Sequence, residues 1–204
     1  MDKLPAHQPE ADVRARQSVL RSSYRLDPRR AEVTDLAWTC GEGDLASPMQ
    51  GRVHFGSHAE AQLDYGVHGA IGGTHAAPVP GDLLCAALAS CQESSLRMVA
   101  AVLEVRLLEL RVNVRAKVDV RGTLGDPLVP VAFQSFELSV RLRAAPGTPQ
   151  QRMRQLCRAA ERSCVVLQTL KSGAPVAVLI DATADPGPSS DSTLETLNTP
   201  GATP

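Results

Sequence analysis

Between residues 108 and 121, Leu108, Leu110, Val112, Val114, Ala116, Val118 and Val120 alternate with Glu109, Arg111, Asn113, Arg115, Lys117, Asp119 and Arg121. A period of two puts the two sets on opposite sides of an extended chain, so the run predicts a strand with one dry and one wet face. Phe136, Leu138, Val140 and Leu142 alternate with Glu137, Ser139, Arg141 and Arg143 in the same way. Between the runs lie the turn formers Gly122, Gly125, Asp126, Pro127 and Pro130, which predicts a long antiparallel hairpin. An apolar run at residues 175–181 is expected to add a third strand. Residues 32–39 and 52–67, punctuated by Gly56 and Gly66, read as weaker strands, so the sheet is expected to be mostly antiparallel.

Two helical patterns interrupt the strands. Over residues 82–103, Leu84, Leu88, Cys91, Met98 and Val102 keep a three-and-four spacing, and Pro80 fixes the start. Cys85, Ala86, Ala87, Ala89 and Val99 occupy the other faces, so much of this helix is expected to be buried. The second pattern opens with Thr148 as N-cap and Pro149 as first helical residue. It runs through Met153, Leu156, Ala160, Cys164 and Leu167 and stops at Gly173.

Composition narrows the function classes. Lys and Arg number 21 against 22 Asp and Glu, a net charge of -1, so no global field favours nucleic acid or anionic lipid. No apolar run approaches the roughly 18 residues of a membrane span, and residues 1–10 lack an apolar signal core; the expectation is a cytoplasmic protein. Residues 1–30, with Lys3 and arginines 14, 16, 21, 25, 29 and 30, read as a basic arm or short helix. Residues 31–183 read as the globular domain, and the Pro-, Gly- and Ser-rich residues 184–204 as a disordered tail.

Five cysteines without a CxxC pair exclude a secreted disulfide scaffold and standard zinc spacing, leaving reactive thiols open. On a helix, Cys85 and Cys91 stand about 9 Å apart along the axis and Cys157 and Cys164 about 10.5 Å, beyond the roughly 7 Å that a disulfide spans between α-carbons. A disulfide at Cys91 must therefore be long-range, to Cys164 or Cys157.

The segment Pro78-Val-Pro-Gly-Asp-Leu-Leu-Cys-Ala-Ala-Leu-Ala-Ser-Cys91, followed by Cys164-Val-Val-Leu-Gln-Thr-Leu170, resembles the two signature helices of the OsmC/Ohr family, the osmotically inducible and organic hydroperoxide resistance proteins. The likeness extends over residues 50–181. It implies an α+β fold, mostly antiparallel sheet with two central helices, in an intertwined homodimer with active sites at the subunit interface. It also implies a thiol peroxidase for organic hydroperoxides, with Cys91 as the peroxidatic thiolate. Cys164 would then resolve the sulfenic acid as a disulfide, to be reopened by a lipoyl or low-molecular-weight dithiol reductant, with no cofactor.

Burial on an apolar face disfavours a thiolate, so this chemistry requires an adjacent cation and a polarising partner, which the family supplies as an arginine and a glutamate. The glutamate's position holds Gly81; the adjacent Asp82 can substitute only where the chain is still non-helical, because nine residues of regular helix place it about 180° from Cys91. Arg52 resembles the early-strand arginine and is the cation expected at Cys91. The family's Cys-Pro becomes Cys164-Val165, which is expected to let the second helix run straight through. The rival reading is a non-catalytic OsmC-like ligand-binding or scaffold protein that has lost the activating pair.

Other motifs are weaker. His54, His58, His68 and His75 fit no zinc pattern and read as surface or turn residues. Gly72-Gly73-Thr74-His75 lacks the Lys-Ser/Thr ending of a phosphate loop and reads as a flexible lid or turn, which the family resemblance would place near Cys91. Ser94 and Ser95 have no positioned His and Asp to make a hydrolase.

Overall fold

The computed structural model describes residues 11–41, 45, 47–56 and 61–182. His58 and residues 184–204 lie outside them. One compact unit ends at Gly173, and residues 174 onward form a second. The first unit opens with helix α1 (Ala11–Leu26) and a 3-10 turn (Pro28–Ala31), so the helical alternative holds for part of the basic arm. Strands β1 (Ala37–Trp38), β2 (Gln50–Phe55) and β3 (Gln62–Gly66) make an antiparallel sheet in which Trp38 faces His54 and Arg52 faces Asp64.

Helix α2 (Pro80–Val102) starts where Pro80 predicts. The Asp82 carboxylate closes its first turn by accepting the Val79 N–H at 3.0 Å. Strands β4 (Leu107–Val118) and β5 (Phe133–Ala144) form the expected hairpin, with Val112 facing Val140 and Val114 facing Leu138. The alternation of β4 is broken at its start. A register shift between Leu107 and Glu109 leaves Leu108 42% exposed and turns Leu107 toward the core instead.

The buried stripe of α2 is Leu88, Gln92, Leu96 and Ala100, a four-residue spacing. The expected stripe through Cys91 and Met98 is displaced, with Met98 41% exposed. The reason is the partner: helix α3 (Gln150–Ser163) packs along α2, and Leu156 and Ala160 join Leu96, Ala100 and Val105 in one core cluster.

The second helical pattern is not continuous. It divides at Cys164, whose extended backbone (φ -78°, ψ 99°) ends α3 and caps α4 (Val165–Ser172), so a proline is not needed for the break. Thr148 does not cap α3; its hydroxyl donates to the Ala145 carbonyl, and Pro149 is the N-cap. Gly173 ends α4 with φ 66°, as its position predicts. In the second unit, residues 174–182 form no strand: Val176, Val178, Leu179 and Ile180 are 72–97% exposed, with no ladder partner among the described residues.

Candidate active site

The division of the second helix decides which thiols meet. Cys164 sits at the extended joint, fully buried, and its sulfur lies beside the Cys91 thiol of α2, close enough for hydrogen bonding and mutual repulsion as thiolates. Cys157, the other long-range partner open from spacing, is exposed on α3. None of the five cysteines forms a disulfide. Cys91 is the more accessible member of the pair, since Cys164 has no exposed surface.

Burial pushes the Cys164 thiol up, and the neighbouring Cys91 adds to the shift. The N–H groups of Leu167 and Val166 act the other way. They belong to the first turn of α4, whose unpaired donors point at the capping residue and favour negative charge there. A joint that turned Cys164 into mid-helix would bury the sulfur without those donors.

The expected activators stand elsewhere in the chain. α2 is regular from Pro80, so Asp82 lies nine residues from Cys91: about 13.5 Å along the axis and half a turn around it. Its carboxylate caps the helix and stands 3.6 Å from His75 Nε2. The thiol it influences is Cys85, raised first by burial and then by the Asp82 charge. Arg52 donates from Nε to Asp64 at 2.6 Å across β2 and β3, and holds that carboxyl below its ordinary range.

Cys85 and Asp82 line a cleft of about 560 Å³ with Tyr65, Val79, Val114 and Phe133. Ile71, just before the glycine-rich turn, lines this cleft together with Cys85. His68 caps the turn by accepting the Ala70 N–H and meets His75 edge-on at 4.9 Å. His54 is neither at the surface nor in a turn: it is 9% exposed, with its ring on Trp38. Among the described residues, no group of three or more His, Cys, Asp or Glu side chains could hold a metal ion, and no helix is long and apolar enough to cross a membrane.

A paired-thiol site carried by helices α2 and α4 on an antiparallel α+β framework is the kind of protein this fold defines. Residues 73–178, more than half of the chain, match the OsmC-like protein family. The chain belongs to that family. An OsmC-like protein of Vibrio cholerae is 12% identical with TM-score 0.54, the match covering 68% of this chain and 94% of that one. An OsmC-like protein of Mycoplasma pneumoniae is 13% identical with TM-score 0.51, covering 70% and 89%. An organic hydroperoxide resistance protein of Legionella pneumophila is 23% identical with TM-score 0.47, covering 69% and 90%. Among curated proteins, none matches the chain.

The pairing of a thiol with a capped joint had no local sequence signal beyond the family motif. Neither did the Cys40–His54 contact, whose residues lie 14 apart.

Proposed function

We propose that the chain is a thiol-dependent peroxidase for organic hydroperoxides. The single observation that carries this reading is the juxtaposition of an accessible Cys91 thiol with a buried Cys164 thiol held at a helix N-terminus. The Cys91 thiolate attacks the terminal oxygen of ROOH; the O–O bond breaks, and RO⁻ takes up a proton to leave as the alcohol. Cys91 is then a sulfenic acid. Cys164 sulfur attacks it, hydroxide leaves as water with the thiol proton, and a Cys91–Cys164 disulfide forms. A lipoyl or low-molecular-weight dithiol reopens it through a mixed disulfide, returning both thiols.

The reading includes a homodimer acting in the cytoplasm, where thiols stay reduced. Within one chain the regular α2 keeps Asp82 on the face opposite Cys91, so its carboxylate does not act on that thiol there. Light scattering on the folded protein should return twice the 21.7 kDa chain mass.

One observation favours the non-catalytic alternative: Gly81 stands where the family carries its glutamate, and Asp82 is engaged in capping. Counting free thiols before and after one equivalent of cumene hydroperoxide separates the two readings. The peroxidase loses two of its five thiols, reversibly with dithiothreitol; the binding protein keeps all five.

A further inference from the structure

The small sheet carries another thiol site, on a different element from Cys91 and Cys164. Trp38 in β1 faces His54 in β2, and the two rings stack with centroids 5.4 Å apart and planes 12° off parallel. His54 is 9% exposed, so its ring is held in one place. The exposed Cys40 lies just beyond β1, and its Sγ is 3.6 Å from His54 Nε2. Arg52 shares the His54 face of β2, because residues two apart in a strand point the same way. Across from these stand Asp64, paired with Arg52, and the uncharged Gln62. Among the described residues, this face carries Cys40, His54, Arg52 and Asp64 as ionisable groups.

We propose that Cys40 and His54 form a nucleophile–base pair that exchanges with low-molecular-weight disulfides, making Cys40 a site of reversible S-thiolation. His54 Nε2 takes the proton from Cys40 Sγ. The thiolate attacks one sulfur of RSSR, the S–S bond breaks, and Cys40–S–S–R forms. The departing RS⁻ takes the proton from His54 and leaves as RSH. Cys40 is oxidised to the disulfide level and one RS group is reduced, so no further reagent is needed. A thiol exchange releases the base again for the reverse step.

Three features support the pair. The imidazolium formed during attack lies against the indole face, which favours a cation. Burial fixes the imidazole while Cys40 is an exposed residue, so the base is positioned beside a nucleophile near the surface. The remaining cysteines, 85, 91, 157 and 164, belong to the helices. Disulfide exchange, unlike peroxide reduction, needs no second protein thiol at the site, and this is why a disulfide is the expected reagent. Cys91 and Cys164 take no part, so this site stands or falls apart from the peroxidase reading.

The test is labelling of the whole protein at pH 7 with limiting 2,2'-dithiodipyridine and mapping of the label by mass spectrometry. Cys157, exposed on α3, serves as an internal reference thiol. Cys40 should take the label at least tenfold faster than Cys157, and His54→Gln should reduce Cys40 to the Cys157 rate without changing Cys157. Trp38 is the one tryptophan of the chain, so its fluorescence reads His54 directly. It should be altered by thiolation at Cys40, because the modified side chain lies against the ring stacked on Trp38. Equal labelling of Cys40 and Cys157 in the unsubstituted protein would overturn the proposal, as would an unchanged Cys40 rate in folded His54→Gln. If that variant fails to fold, the labelling ratio of Cys40 to Cys157 in the unsubstituted protein decides alone.

Discussion

Gly81 lies against the ring of Phe133, and a Cβ at residue 81 would stand 3.1 Å from Cζ, closer than ordinary van der Waals contact. Gly81 is on the first turn of α2 and Phe133 starts β5, so this contact sets how near the hairpin comes to the helix.

Restoring the family carboxylate at that position is therefore expected to push the hairpin away. Gly81→Glu should lower stability by about 1 kcal/mol or more, within the range of overpacking substitutions, and adding Phe133→Leu should recover most of it. Urea unfolding of the single and double variants measures both. A single variant as stable as the parent would show that Phe133 moves aside freely.

Cys164 is expected to protect Cys91 from overoxidation. In Cys164→Ser, one equivalent of hydroperoxide should leave Cys91 as a sulfenic acid trapped by dimedone, and excess should carry it to the sulfinic acid. Intact mass spectra give the count of added oxygens. Disulfide formation with Cys157 in this variant would mean that the joint is mobile enough to offer an alternative resolver.

The alkaline limb of stability should report the buried thiols. Cys164 and Cys85 are both raised above the ordinary thiol value of 9.0, chiefly by burial. The folded state then holds protons that the unfolded chain releases, so their contribution is complete below pH 9.0 and is lost as pH rises through the folded values. Unfolding midpoints between pH 8 and about 11 should fall less steeply in Cys85→Ser/Cys164→Ser than in the parent. On the acid side Asp64, Asp119 and Glu161 are lowered by Arg52, Arg121 and Lys171. Their contribution is present above the unfolded carboxyl values and fades as pH falls through the folded ones. Solvent screening keeps it small, because Asp64 and Glu161 are exposed and Asp119 is only half-buried.

Glu104 ends α2 with φ 55°, a left-handed conformation that costs a residue bearing a Cβ. Glu104→Gly should stabilise the protein by about 0.5–1 kcal/mol, because glycine adopts that backbone without strain. The lost pair with Arg14, at 3.1 Å, is exposed on both sides and offsets only part of the gain. Thermal midpoints of Glu104→Gly and Glu104→Ala, the latter removing the pair without relieving φ, separate the two contributions.

The hairpin and the start of α2 were legible in the sequence because each is dictated locally: alternation over one strand, a proline at the first helical position. The family, too, could be read from the Pro78–Cys91 motif and the spacing to Cys164, and the match over residues 73–178 bears it out. What could not be read is whatever depends on a neighbour far along the chain. The inward turn of Leu107 comes from a bulge opposite β5, and the buried stripe through Gln92 follows from where α3 lies. Whether Cys91 meets Cys164 or Cys157 is likewise decided by a break at one residue. Helical spacing fixes angles within an element; only packing between elements fixes which sulfur faces which, and which of the chain's charges reaches it.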